Sequence, residues 1–499
     1  MIELSLAEVA EIVGGELADI DAAAAARVTI TGNVEFDSRA VQPGDLFLAL
    51  PGARTDGHDF APGAVAAGAV GVLAARPVGV PAIVVAPAGA GDRGASVLEH
   101  DRDGSGAAVL AALAKLAAEV ARRLTAAGLT IIGVTGSSGK TSTKDLLAAV
   151  LAPLGEVVAP PGSFNNELGH PWTVLRATPA TDYLVLEMSA RHPGNIAELA
   201  AIAPPQIAVV LNVGTAHLGE FGSRQAIADT KAELPQAIPS SGVVVLNADD
   251  PAVAAMAEGT AARVVRVSRS GAADVRAEDV TLDALARPGF TLRWDEQSVP
   301  VQLAVHGDHQ VSNALCAAAV ALQCGADGAQ VAAALAAAGP ASPHRMAVAD
   351  RADGVTVIND AYNANPDSMR AGLQALAWMA RAGAGPAGKR RSFAVLGEMA
   401  ELGDDTISEH DRIGRLAVRL DVSRLVVVGT GRAMGAMHQG AVMEGSWGSE
   451  AVRVDDTDAA LALLRTELAP GDVVLVKASN SAGLAKLAQD LLADAEDPA

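Results

Sequence analysis

The stretch VTGSSGKTSTK, Val134 to Lys144, carries the residue types that hold a phosphate chain. Gly136 and Gly139 let the backbone turn its N–H groups toward an anion. Lys140 supplies a point charge for the outer phosphates and Thr141 a hydroxyl for Mg²⁺, with Ser137, Ser138 and Ser142 interleaved. The common phosphate loop is spelled G-x-x-x-x-G-K-[ST], and Val134 stands where its first glycine would be. An apolar strand, LTIIGVT, enters the loop, and a helix-like TSTKDLLAAVL leaves it, so the phosphates would sit at a helix N-terminus. That context predicts a nucleotide site built on a variant loop, rather than a structural turn.

Further polar residues lie at the ends of apolar runs, where ligands bind in open α/β sheets. YLVLEMSARHPG brings Glu187 off a strand, a position suited to Mg²⁺. NVGTAHLGEFGS carries His217 in a glycine-rich segment; alone, such a histidine reads as a hydrogen-bonding residue rather than a ligand. Lys231, in the helix-like IADTKAELPQAI, reads alone as a solvated lysine.

The elements around these residues divide the 499-residue chain into three parts, as its length suggests. Residues 1–107 hold short strands and turns and end at the polar HDRDGSG. Residues 108–340 begin with the helical AAVLAALAKLAAEVARRL and then alternate apolar runs (YLVLE, IAVVLN, GVVVLNADD) with helices, the pattern of a mostly parallel, doubly wound sheet. GPASPHRM breaks that pattern, and VTVIND, SFAVLGEM, RLVVVGTG and DVVLVKAS resume it over 341–499 as a smaller α/β domain.

A net charge of −21 argues against a nucleic-acid partner but leaves room for anionic substrates in a local basic pocket. Cys316 and Cys324 fall in one Ala-rich helical segment, about 12 Å apart in rise, which is too far for a disulfide. The acidic N-terminal MIELSLAEVAEIVGG does not read as a signal peptide, and no apolar window reads as a membrane span. The expectation is a cytoplasmic protein without membrane insertion.

Together these segments resemble the Mur ligase family, the ATP-dependent amide-forming enzymes of peptidoglycan assembly. The family loop T-G-[ST]-x-G-K-T matches Thr135 to Thr141 as they stand. VINDAYNANPDSM (357–369) is close to the D-A-Y-N-A-N-P-x-S-M signature of the member that adds D-alanyl-D-alanine. SFNNELGHP (163–171), LGEMAELG (396–403) and DSR…PGDLF…GARTDGHDF (37–60) also resemble that member, so the likeness covers all three parts in order.

The resemblance implies a three-domain α/β enzyme: an N-terminal UDP-binding domain, a central ATPase domain and a Rossmann-like C-terminal domain. It implies ATP and two Mg²⁺ ions, with Glu187 and Thr141 on one ion, His217 on a second, and Lys231 carbamylated. The substrates would be UDP-N-acetylmuramoyl-tripeptide (UDP-MurNAc-tripeptide) and D-Ala-D-Ala, joined through an acyl phosphate under a closing C-terminal domain, by a monomer. Ser38 and Arg39 become candidates for the UDP end, and Asn165 and Asn166 for the tripeptide carboxylate and γ-phosphate. Asn313, with Asn247 or Asp249, would read the adenine. Arg345 would reach the nucleotide phosphates, with Asp360 near them. Asp360, Tyr362, Asn363, Asn365 and Pro366 would shape the dipeptide pocket, although Asn, Asp and Pro also serve turns.

Two positions depart from the family pattern. Gln310 stands where asparagine is usual after His309, and the last strand's loop reads Lys477-Ala478-Ser479-Asn480 where K-G-S-R is frequent. The second change removes a charged fork, while Lys477 remains a candidate substrate or phosphate contact. A related ligase adding another amine, or a folylpolyglutamate-type ligase, is the alternative within the family. A non-catalytic nucleotide-binding regulator is the alternative outside it.

Overall fold

The computed structural model describes residues 1–52, 55–87, 101–214, 218–382, 389–445, 448 and 450–493. Its centre is a nine-stranded sheet. The strand TIIGVT, Thr130–Thr135, is buried almost throughout and pairs in parallel with Thr181–Glu187 on one side and Ile207–Val210 on the other. Continuous apolar runs of this kind belong to sheets covered on both faces. The chain leaves Thr135, crosses to the far strand Glu156–Val158, returns through Thr181–Glu187, and only then passes to the opposite side at Ile207–Val210. The strand order therefore reverses at Thr130–Thr135, and the crevice beyond its carboxyl end is where a ligand fits.

The outer edge of this sheet differs from the strand–helix alternation expected over 108–340. Val275–Leu282, Pro288–Trp294 and Gln297–Gln302 form an antiparallel meander. Their burial alternates residue by residue along VRAEDVTL and PGFTLRW, as in strands with one wet face.

The N-terminal part carries a five-stranded sheet and a separate two-stranded pair. Its core is continuous with that of the central part, because the helix Ser105–Ala126 packs against elements of both. This helix begins just before the expected boundary at 107, with the Asp101 and Asp103 carboxylates accepting backbone N–H groups at its start. Trp172 donates from Nε1 to the Val34 carbonyl at 2.8 Å and meets Phe36 edge-on, further joining the two parts.

The C-terminal part is a six-stranded sheet, parallel except for Ala347–Asp350 at its edge. Its link to the centre is pinned: Ser342 donates from its backbone to Asp145 Oδ2 at 3.0 Å, and Lys144 Nζ reaches Asp145, Pro160 and Ser342. Both cysteines are free thiols, Cys316 buried and Cys324 partly so. No described helix is long and apolar enough to cross a membrane.

Candidate active site

The loop after Thr130–Thr135 is shaped by contacts that leave glycine the only choice at two positions. A Cβ on Gly136 would come within 2.9 Å of Leu211 Cβ, and one on Gly139, at φ +84°, within 2.7 Å of Asn313 Oδ1. Gly139 begins the helix Lys140–Leu151 without a side-chain cap, so its first N–H groups face the crevice. Asn212 staples the loop from the next strand: its Oδ1 accepts from Ser138 N at 3.0 Å and its Nδ2 donates to Ser138 O at 3.1 Å. Ser137 Oγ accepts from Gly214 N at 2.9 Å, so this serine holds the loop's neighbour.

Lys140 Nζ donates back to Gly136 O at 2.6 Å. Burial pushes its ammonium below the usual lysine range; Glu187 opposes that shift and Arg345 adds to it. Thr141 Oγ1 sits between two partners, donating to Glu187 Oε2 at 3.4 Å and accepting from Arg345 Nη2 at 3.1 Å. Glu187 is fully buried at the end of its strand. Its Oε2 also accepts from Ser163 Oγ at 3.1 Å and Asn165 Nδ2 at 3.2 Å, while its buried Oε1 has no partner among the described residues. A fully buried carboxylate with one bare oxygen is an incomplete site.

Lys231, on the helix Arg224–Gln236, is 7% exposed, and no hydrogen bond or ion pair is formed by its amine among the described residues. Burial, and secondarily the charge of Lys140, lower its pKa to about 7. The expected ligand His217 lies outside the described residues. Among the described residues no group of three His, Cys, Asp or Glu side chains forms a ready metal cage. Among the described residues, Thr141 and Glu187 are the oxygen donors placed to hold a metal.

Two cavities open from the loop. The first, about 980 Å³, is lined by Gly139, Ser142, Asn247, Asn313, Arg345 and Lys477, among others. Asn313 Nδ2 donates to Gln310 Oε1 at 2.8 Å, so the glutamine at the departing position orients the asparagine that faces the loop. Asn247 Nδ2 donates to Leu211 O, whereas Asp249 is spent on Ser268, Arg269 and Ser270.

Lys477, expected as a substrate or phosphate contact, has its amine committed elsewhere: it donates to Asp360 Oδ2 at 2.6 Å and Asn363 O at 2.9 Å, 2% exposed. Asp360 Oδ1 accepts from Met346 N at 3.1 Å, which fixes the bend carrying Arg345 just before the strand Ala347–Asp350. Replacing Lys477 by Met strands the Asp360 carboxylate and should cost about 3–5 kcal/mol in urea unfolding. The double variant Lys477→Met/Asp360→Asn should recover most of that loss.

The second cavity, about 400 Å³, lies between the central and C-terminal parts. The phosphate loop, Asn165, Asn166 and Arg191 line one side, and Tyr362, Asn363, Asn365 and Glu401 the other. Arg345 lies 4.1 Å over the Tyr362 ring, between His344 and Met346, both at positive φ. Asn363 Oδ1 accepts from Ala364 N, and Asn365 Oδ1 from Ser368 N, capping the helix Pro366–Ala382. Asn365 Nδ2 also reaches Ser137 O across the cavity at 3.4 Å. Asn166 Oδ1 accepts from Gly169 N. Ser38 and Arg39 line neither cavity; Arg39 pairs with Asp37 on an exposed N-terminal loop.

Asn212 is a structuring residue that sequence reasoning did not assign, whereas Gln310 was singled out there only as a replacement that keeps the amide. Asn212 ends the run IAVVLN at the same sheet edge as the loop, and that position was its only signal.

Comparison with known proteins adds family and likeness. Residues 31–120 match the Mur ligase family catalytic domain, 134–321 the Mur ligase middle domain, and 344–480 the Mur ligase glutamate ligase domain. A UDP-N-acetylmuramoyl-tripeptide–D-alanyl-D-alanine ligase of Mycobacterium tuberculosis is 73% identical over 505 residues, covering 99% of this chain and 98% of that one. Among solved structures, MurF from Acinetobacter baumannii superposes with a TM-score of 0.80 at 29% identity, covering 98% of this chain and 99% of that one. A MurF ligase from Thermotoga maritima in complex with ADP superposes with a TM-score of 0.74 at 28% identity, over 94% and 98% of the two chains.

Proposed function

This chain belongs to the Mur ligase family, and we propose that it joins D-alanyl-D-alanine to the terminal carboxylate of UDP-N-acetylmuramoyl-tripeptide, using ATP, in peptidoglycan precursor synthesis. One observation carries the reading: a single cavity brings the phosphate loop and Asn165 against the Tyr362–Asn365 loop. A phosphate donor and an amine can therefore meet there over one carboxylate.

The tripeptide carboxylate attacks the γ-phosphorus of ATP, giving an acyl phosphate and ADP. The dipeptide amine then attacks the acyl carbon, forming the amide and releasing phosphate. The first step brings two anions together. Lys140 and the uncapped N–H groups of Lys140–Leu151 offset that repulsion by fixed positive charge. Arg345 is within reach of the same phosphates through Thr141. The Asn365–Ser137 contact spans the cavity, and closure around the substrates would exclude water that hydrolyses the intermediate.

Thr141 Oγ1 and the bare Glu187 Oε1 are hard oxygen donors that fit Mg²⁺. Bound there, Mg²⁺ would supply charge for the phosphate oxygens, and the family resemblance assigns a second ion to His217. A neutral Lys231 amine can add CO₂, losing a proton to become a carbamate; its repulsion by Lys140 would then become attraction. Ser38 and Arg39 are assigned to the UDP end, Asn247 and Asn313 to the adenine, and Tyr362, Asn363, Asn365 and Pro366 to the dipeptide, across domains at 1–107, 108–340 and 341–499. The enzyme acts as a cytoplasmic monomer on these small molecules.

The test is incubation with ATP, Mg²⁺ and the UDP-linked tripeptide, with and without D-Ala-D-Ala. Phosphate release that requires the dipeptide, with a product heavier by one dipeptide unit, is the expected result. Release with a single free amino acid instead would overturn the reading.

A further inference from the structure

We propose that Arg191 binds the terminal carboxylate of the incoming dipeptide, and that Glu401 holds its guanidinium until that carboxylate arrives. The inference rests on the dipeptide-adding activity above and deepens it.

The dipeptide carries one fixed negative charge, and a carboxylate entering a partly closed cavity needs a partner. The described cations lining this cavity are Lys140, Arg191 and Arg345. Lys140 is turned back onto the phosphate loop, and Arg345 onto Thr141. Arg191 is instead paired with an acidic side chain of the opposite part, donating from Nη2 to Glu401 Oε1 at 2.8 Å. One of its nitrogens therefore already holds a carboxylate oxygen, and a planar guanidinium can hold a carboxylate with geometric specificity.

Both partners are held in place. Asn195 Oδ1 accepts from Arg191 N at 3.1 Å and His192 N at 3.0 Å, fixing the start of the arginine's loop. Glu401 stands at φ +63°, a backbone conformation that side chains seldom adopt. Gly403 beside it packs so closely on Gly219 that a Cβ would lie 2.6 Å from the Gly219 Cα.

Asn480 lines the same cavity. Ser479 Oγ accepts from Ala400 N at 2.9 Å, and Ser479 N donates to Glu398 O at 2.9 Å. The segment before Asn480 is thus tied to the segment carrying Glu401. Arg191 reaches from the central domain to that segment through Glu401. One carboxylate exchanges for another on its fork, so the swap leaves the charge balance at the arginine unchanged.

The experiment compares D-alanyl-D-alanine with D-alanyl-D-alanine amide, which lacks the charge, on the wild-type enzyme and on Arg191→Gln, Arg191→Lys and Glu401→Gln. In the wild type the acid should exceed the amide in kcat/KM by about 10-fold or more. Arg191→Gln should raise the KM of the acid about 10–100-fold and collapse the acid/amide preference toward unity, with the KM of ATP and tripeptide nearly unmoved. Arg191→Lys should keep part of the preference, and Glu401→Gln, which removes the competing carboxylate, should lower the KM of the acid. An Arg191→Gln enzyme that still prefers the acid, or whose tripeptide KM rises instead, overturns the assignment. A wild type that uses neither dipeptide would instead overturn the parent activity, so the two failures are distinct.

Discussion

Replacing Lys140 by Ala is expected to lower kcat about 1,000-fold, a loss of ~4 kcal/mol of transition-state stabilisation, without lowering Tm. The two halves follow from one observation. The ammonium lies among Gly136, Glu187 and Arg345, where burial disfavours its charge. Folding therefore gains little from it, and removing it relieves a desolvation cost. The charge is worth most when the tripeptide carboxylate approaches the γ-phosphate and negative charge concentrates in a water-poor site. Steady-state rates and a thermal melt on the same preparation check both halves. A variant equally slow but clearly destabilised would place Lys140 among structural residues instead.

Lys231→Ala should lose roughly 100–1,000-fold in kcat, and short carboxylic acids such as acetate should restore at least about 10-fold of it. An exposed lysine would predict almost no effect. The side chain is buried and lacks a partner among the described residues, and burial lowers its pKa to about 7. The sign of the pH dependence follows. Above that value the amine is neutral and can add CO₂; below it the ammonium prevails and cannot. Wild-type activity in bicarbonate-containing buffer should fall as pH drops through about 7, and stripping CO₂ should lower it further. Native mass spectrometry should find one added CO₂ on the wild type and none on Lys231→Ala. An unmodified wild type at full activity would remove the carbamate from the account.

The phosphate loop was legible in the sequence because its chemistry is local: strand, two glycines, Lys140 and Thr141 sit within a few residues. Glu187 was legible too, since a charged residue ending YLVLE must find a purpose at the sheet's edge. Lys477 shows where single residues mislead. It ends a strand, VVLVK, that is buried throughout, and a lysine so placed needs an internal counter-charge. That partner, Asp360, lies 117 residues away, so spacing could not reveal it. The roles of Asn212 and Gln310 likewise depend on which strand and helix pack beside the loop. The meander at 275–302 was written in its alternating pattern, but the surrounding strand–helix rhythm masked it.

The most direct measurement follows oxygen. UDP-muramoyl-tripeptide labelled with ¹⁸O in its terminal carboxylate should, on conversion with ATP and D-Ala-D-Ala, deliver one labelled oxygen to each phosphate released. The other should remain in the new amide carbonyl, as carboxylate attack on the γ-phosphorus requires. Phosphate carrying oxygen from solvent, with both labels left on the peptide, would mean that ATP is merely hydrolysed and would contradict the account.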